Sequence, residues 1–249
     1  MKRLLYILLL LPLLLACTNE DMTPTGEGEM VVSDLRCKVT STAVVSTRAT
    51  VDPTLAVEIL DADGNVYRGM SYEPGVTLPN RFSLIVGDYT FHAFTPNATT
   101  WLTDNNGLGS AVYEGRQSFT ILPQWVSYVQ MEVPMVNYGV TYTVPENFST
   151  WFPTCDLTVS SGARSCTLSA GQTAYFAPAE NLGFTFQLHL VNTDGEEYNL
   201  EQHTYDNPHG GLIFNIVYSF ATDDDPTKLN VGISYDDTFE EIAHSITLY

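Results

Sequence analysis

Phe184-Thr185-Phe186-Gln187-Leu188-His189-Leu190 decides the fold class. Apolar side chains at every second position place Phe184, Phe186, Leu188 and Leu190 on one face and Thr185, Gln187 and His189 on the other, which is the period of a half-buried strand. The same alternation recurs outward from this stretch. Leu212, Phe214, Ile216, Tyr218 and Phe220 form one set, and Leu229, Val231, Ile233 and Tyr235 another. Toward the N-terminus, Trp125, Val129, Met131, Val133 and Met135 share a face, as do Phe82, Leu84 and Val86. No stretch of ten or more residues carries a 3.6-residue period. Asp63-Gly64-Asn65, Gly87-Asp88, Asn105-Asn106-Gly107, Ser161-Gly162 and Asp194-Gly195 supply turn chemistry between the runs. Many short strands at this spacing predict an all-β chain of two tandem antiparallel β-sandwich domains. Val57–Tyr67 and Leu188–Tyr198 echo one another as strand, Asp-Gly turn and Tyr-bearing return strand, which supports two units of similar topology. The boundary is placed near residue 136, giving domains over 31–135 and 136–249.

The N-terminus has a different character. Met1-Lys2-Arg3 is basic, and Leu4–Ala16 is an uncharged apolar run, too short for the roughly 20 residues that span a bilayer. It ends Leu14-Leu15-Ala16-Cys17 and resembles the lipobox of bacterial lipoproteins. That resemblance implies removal of residues 1–16 as a signal peptide and acylation of Cys17, where two or more chains hold a protein stably and one does not. Residues 17–30 are polar, acidic and Gly/Pro-bearing, and read as a flexible tether. Acidic residues directly after Cys17 resemble the surface-export signal of Bacteroides-type lipoproteins.

The chain of 249 residues holds 10 Lys and Arg against 29 Asp and Glu. Residues 17–135 carry 14 acidic and 6 basic residues, and 136–249 carry 15 and 2. Such a surface repels phosphate backbones, which excludes nucleic acid as a partner.

Candidate chemistry is sparse. Cys155 and Cys166 flank a segment read as a hairpin turning at Ser160-Ser161, a register that opposes them and permits a disulfide; two buried free thiols are the alternative. Cys37 is then a core residue. Asp61-Ala62-Asp63-Gly64-Asn65 begins like a calcium loop, but Tyr72 stands where a Glu is required, so it reads as a turn. Asp223-Asp224-Asp225 reads as a solvated loop. His203 and His209 lack an evident third ligand, no zinc spacing and no hydrolase motif occurs, and the sequence predicts no metal, no cofactor and no enzyme activity. Trp101 and Trp151 lie in loop-like segments, where an exposed ring stacks on sugar or simply caps the sandwich.

The lipobox, the acidic tether, Ser46-Thr47-Arg48-Ala49 and the Leu84–Ala93 strand pair around Gly87-Asp88-Tyr89 together resemble the fimbrillin-like surface lipoproteins of Bacteroidales. The resemblance covers residues 1–135 best. It implies a cell outer membrane protein, lipid-anchored and surface-exposed, with a structural or adhesive role as pilus subunit or anchor. It also implies cleavage between Arg48 and Ala49, release of the strand within 31–48, and its replacement by a neighbouring subunit's strand, with the C-terminal Ser245–Tyr249 as donor. Partners would be the outer membrane through the lipid, other pilus or adhesin subunits, and glycan. A glycan- or protein-binding lipoprotein is the second reading, and an envelope hydrolase the third.

Overall fold

The computed structural model describes residues 26–38, 54–96, 101–103, 105–178, 182–221, 228–236 and 238–247. Seventeen strands fall among the described residues and form four sheets. β1 (Glu27–Lys38), β4 (Phe82–Ile85) and β7 (Val126–Pro134) make a sheet of order β4-β1-β7. It faces a second sheet of order β3-β2-β5-β6, built from β2 (Ala56–Leu60), β3 (Val66–Tyr72), β5 (Gly87–Phe94) and β6 (Glu114–Ile121). Met30, Leu35, Leu84, Val129 and Val133 from the first meet Val57, Ile59, Phe91 and Ile121 from the second, and these interior side chains form one core.

A second core lies between two further sheets. One has the order β11-β8-β15-β16-β17, from β8 (Tyr138–Thr143), β11 (Ala174–Phe176), β15 (Ile213–Phe220), β16 (Lys228–Tyr235) and β17 (Thr238–Thr247). The other runs β10-β9-β12-β13, with β14 also on β12, from β9 (Thr154–Ser161), β10 (Arg164–Ser169), β12 (Phe184–Val191), β13 (Glu197–Asn199) and β14 (His203–Tyr205). β12 is the stretch quoted first, and its apolar set is buried at every second position. Phe184 and Phe214 pack against Tyr138, whose hydroxyl donates to Ser161 Oγ at 3.0 Å.

The two cores share a strand plan. In each, the first strand lies mid-sheet, antiparallel to the fourth and parallel to the last strand of the shared plan: β1 with β4 and β7, β8 with β11 and β15. The second, third and fifth strands build the facing sheet. β13 and β14 pair with opposite ends of β12 and together replace the single β6 that pairs along β5. β16 and β17 extend the second unit only. The echo between Val57–Tyr67 and Leu188–Tyr198 matches strands that are not equivalent, because it aligns β2 and β3 with β12 and β13. It reflects turn chemistry. Asp61 Oδ1 accepts the N–H groups of Asp63 and Asn65, and Asn192 Oδ1 those of Asp194 and Glu196. The Asp61 carboxylate is therefore engaged by its own turn.

Two further expectations are corrected. β1 starts at Glu27, inside the stretch assigned to the tether, and Met30 is fully buried. Gly-Glu-Gly-Glu reads as polar because Glu27 and Glu29 occupy the outer face, while the inward position is Gly28, where a Cβ would lie 2.4 Å from the Leu122 carbonyl oxygen. Trp125 is 68% exposed although Val129, Met131, Val133 and Met135 are buried. It belongs to the turn before β7, where its N–H bonds to the Leu122 carbonyl and Gln124 sits at φ 60°.

The units are joined by the segment between β5 and β6. Leu108 from this segment is part of the second core, and its carbonyl accepts the Tyr175 N–H. Arg164 donates to the carbonyls of Leu102, Gly107 and Tyr175. Asn137, buried, accepts the Val112 N–H at 2.9 Å and donates to the Ser110 carbonyl at 2.8 Å. Replacing its amide strands two backbone groups in an apolar setting, each worth about 1–3 kcal/mol. Asn137→Ala is expected to lower the unfolding free energy by about 2 kcal/mol or more in urea titration; a loss within about 0.5 kcal/mol would refute the joint.

Candidate functional site

β1 and the slot it occupies are the feature that the fold sets apart. β1 pairs antiparallel with β4 from Glu27 to Met30 and parallel with β7 from Glu29 to Lys38. Met30 and Leu35 are fully buried, and Val32 and Cys37 pack beside them. The register shifts between Val32 and Asp34, where the Ser33 hydroxyl donates to the Val129 carbonyl at 3.1 Å. Beyond the shift, Arg36 Nε donates to Asp34 at 2.7 Å, so the nearly buried carboxylate has a cation beside it. Taking β1 away would unpair the facing edges of β4 and β7 and bare Phe82, Leu84, Val129, Met131 and Val133.

Arg48 and Ala49 lie in 39–53, outside the described residues, between the end of β1 in one sheet and the start of β2 in the other. Cys17 also lies outside them, as do Asp223-Asp224-Asp225 and the last two residues. Ser245–Thr247 fall in β17, where Ile246 opposes Leu229 and Thr247 opposes Lys228.

The aromatic candidates do not form one site. Trp151 is 50% exposed at the end of a single helical turn, Phe148–Trp151, whose Phe148 and Phe152 are buried. The backbone of Trp101 is in a short 3-10 turn, and its side chain is outside the described set. Trp125 and Tyr128 are both about two-thirds exposed on the outer side of the β1 sheet, whereas the alternation placed Trp125 on the buried face. Leu122-Pro123-Gln124 carried the signal: a turn directly before Trp125 interrupts the alternation that was extended to it.

The proposed Cys155–Cys166 pairing is not formed. Both are free thiols, as is Cys37. The hairpin turns two residues later than expected, at Gly162-Ala163, so Arg164 opposes Ser161 and Cys166 opposes Val159. Cys155 instead faces Leu190 on β12. Ser160 and Ser161 stay in the strand because Gly162, at φ 57°, takes the left-handed turn position more readily. Burial pushes the Cys155 thiol up to about 11. Its carbonyl accepts the Tyr142 hydroxyl at 2.5 Å. Burial likewise raises the phenols of Tyr142 and Tyr218. Glu196 accepts from Tyr198 and Asn192, which lowers its pKa and ties it into the turn. Among the described residues no group of His, Cys, Asp and Glu is placed to hold a metal ion, and no helix is long and apolar enough to cross a membrane.

A thiol held near 11 has about a hundredfold less thiolate at pH 8 than one near its ordinary value. Iodoacetamide should therefore label Cys155 about a hundredfold more slowly in the folded protein than in urea, with the gap narrowing as pH rises toward 11. A disulfide-linked Cys155–Cys166 peptide in a non-reducing map would overturn the register.

No curated protein matches the chain. Among solved structures, a candidate cell adhesion protein of Bacteroides eggerthii aligns at 10% identity and TM-score 0.47, over 87% of this chain and 97% of its own. A candidate adhesin of Bacteroides ovatus aligns at 11% and 0.43, over 91% and 97%. A fimbrial assembly protein of Parabacteroides distasonis aligns at 13% and 0.41, over 88% and 99%. Residues 26–249 match the family described as a domain of unknown function, DUF4493, and the chain belongs to it.

Proposed function

We propose that this DUF4493 chain is a lipid-anchored, surface-exposed outer membrane protein of fimbrillin-like type, with a structural or adhesive role, and that β1 is its exchangeable strand. Its two cores are two domains meeting near residue 136. One observation carries the reading: the strand nearest the lipidation motif is an interior strand of its sheet, joined to the rest of the chain only through the segment that holds Arg48. Hydrolysis of the Arg48–Ala49 bond by a trypsin-like protease cuts β1 and the lipid together from the body. The vacated slot, with backbone donors and acceptors on both sides and an apolar floor, accepts a strand from a second copy by β-augmentation.

β17 supports the donor role assigned to the C-terminus. It is an edge strand held on one side only, and its pairing with β16 shifts register twice. Leaving β16 breaks one ladder, whereas entering the β1 slot forms two. The uncut chain is the anchored form and the cut chain the assembling form.

Two experiments test this. Cys17→Ala should move the protein from the detergent phase to the aqueous phase in Triton X-114 partition; retention in the detergent phase would sink the anchor. N-terminal sequencing of the surface form should find Ala49 first, and Arg48→Ala should leave a monomer that never oligomerises. A surface form that carries only acylated Cys17 and stays monomeric at all concentrations would refute strand exchange.

A further inference from the structure

We infer that the outer face of the β4-β1-β7 sheet is a binding site for a neutral glycan, with Trp125 as its stacking platform. A groove of about 340 Å³ runs across this face, and Glu27, Glu29, Ser83, Gln124 and Trp125 line it. Register fixes who shares the face: Glu27 stands opposite Ile85, and Glu29 stands between Ser83 and Val126. Val31 pairs with Tyr128 two positions on, so Tyr128 belongs to the same face.

The polar groups are set in advance. Arg81 pairs with Glu29, and the Ser83 hydroxyl donates to Glu27 at 3.2 Å. Each carboxylate keeps accepting capacity beyond that one bond. Gln124 holds its left-handed turn through its own N–H, which donates to the Glu27 carbonyl at 2.9 Å. The result is a broad exposed ring beside two oriented acceptors and an amide that both donates and accepts.

That combination selects among ligands. A pyranose presents a C–H face that stacks on an aromatic ring and a rim of hydroxyls that donate to carboxylates. An apolar protein surface or a lipid interior would desolvate Glu27 and Glu29 without giving them hydrogen-bond donors. Uronic acids, sulfated sugars and phosphates would meet two carboxylates of which Arg81 offsets only Glu29, which leaves Glu27 to repel them. A neutral sugar escapes both penalties. Glu27, Gly28 and Glu29 come from β1, so the site belongs to the uncut chain.

The test is native affinity electrophoresis of the full chain carrying Cys17→Ala. Gels contain dextran, mannan, xylan or galactan, with polygalacturonate as the anionic probe. The expected result is retardation by at least one neutral polysaccharide and none by polygalacturonate. Trp125→Ala should weaken retention tenfold or more, Trp125→Phe should keep part of it, Glu27→Gln should weaken it several-fold, and Trp151→Ala should leave it unchanged. No retardation by any of the four, retention that survives Trp125→Ala, or preference for polygalacturonate would overturn the site. So would Trp125-dependent sedimentation with phosphatidylcholine vesicles, which would assign the face to lipid. The measurement uses no lipid anchor and no cleavage at Arg48, so it can fail without touching the role given to β1.

Discussion

Each sheet that contains a unit's first strand is closed by a parallel ladder between that strand and the last of the shared plan, and the rest of the architecture depends on it. In the first unit Ser33 meets Val129, 96 residues away in sequence. The intervening strands supply the facing sheet and the β4 edge, but β1 has its second neighbour only once β7 is in place. Pairings of such separation carry a large loop-closure cost and form late. The same topology buries Met30 and Leu35 fully in the core, so a strand closed by this long-range ladder is also one that fills the interior. In β1 an interior position coincides with a place ahead of every other described strand, which is the arrangement the proposed exchange requires.

The second unit repeats this closure with β8 and β15, but β8 follows β7 directly and has no free end. Its neighbourhood also holds the joint. Leu108 packs into the second core, Arg164 bonds to carbonyls on both sides of the junction, and the Arg164 guanidinium lies 5.5 Å from the Phe176 ring centroid. Connectivity at both ends therefore holds β8 in place, which sets it apart from β1.

Much of this was legible in the sequence, and the failures have physical causes. Alternation located β12, β15 and β16 because large apolar side chains fill every second position of their inner faces, although Ile213 and Val217 also stand on the outer face of β15. It failed at the start of β1, where the inward position is glycine, excluded from having a side chain by the Leu122 carbonyl. It failed at Trp125, where a turn intervenes between the ring and the strand that follows. The β9–β10 turn slipped by two residues, and the pairing by four, because Ser160-Ser161 and Gly162-Ala163 both read as turns, and only the φ required at the corner separates them. The internal echo was chemically real and topologically misleading: an Asx side chain that caps two N–H groups builds the same turn wherever a hairpin needs one. Pairing between distant strands, which makes β1 interior, leaves no local trace and was unreadable.

The sheet edges complete the case for replacement over simple edge-to-edge addition. An exposed edge strand is a template for pairing unless something spoils it. β4, β11, β13 and β14 are three or four residues long. β3 loops away from β2 between Val66 and Ser71, with Arg68 and Gly69 at positive φ. β7 points Gln130 and Glu132 outward and ends at Pro134, β6 carries Glu114 and Arg116, and β17 is interrupted by two register shifts. Brevity, bulges, charge and proline thus blunt these edges, and each is a device that prevents a second chain from docking a strand without first opening the sheet. β10 (Arg164–Ser169) is a further edge, of six residues, and pairing on both sides over an apolar floor is gained only where an interior strand is removed. Among the described interior strands, β1 is the one whose removal requires a single cut and leaves every other strand connected to the body.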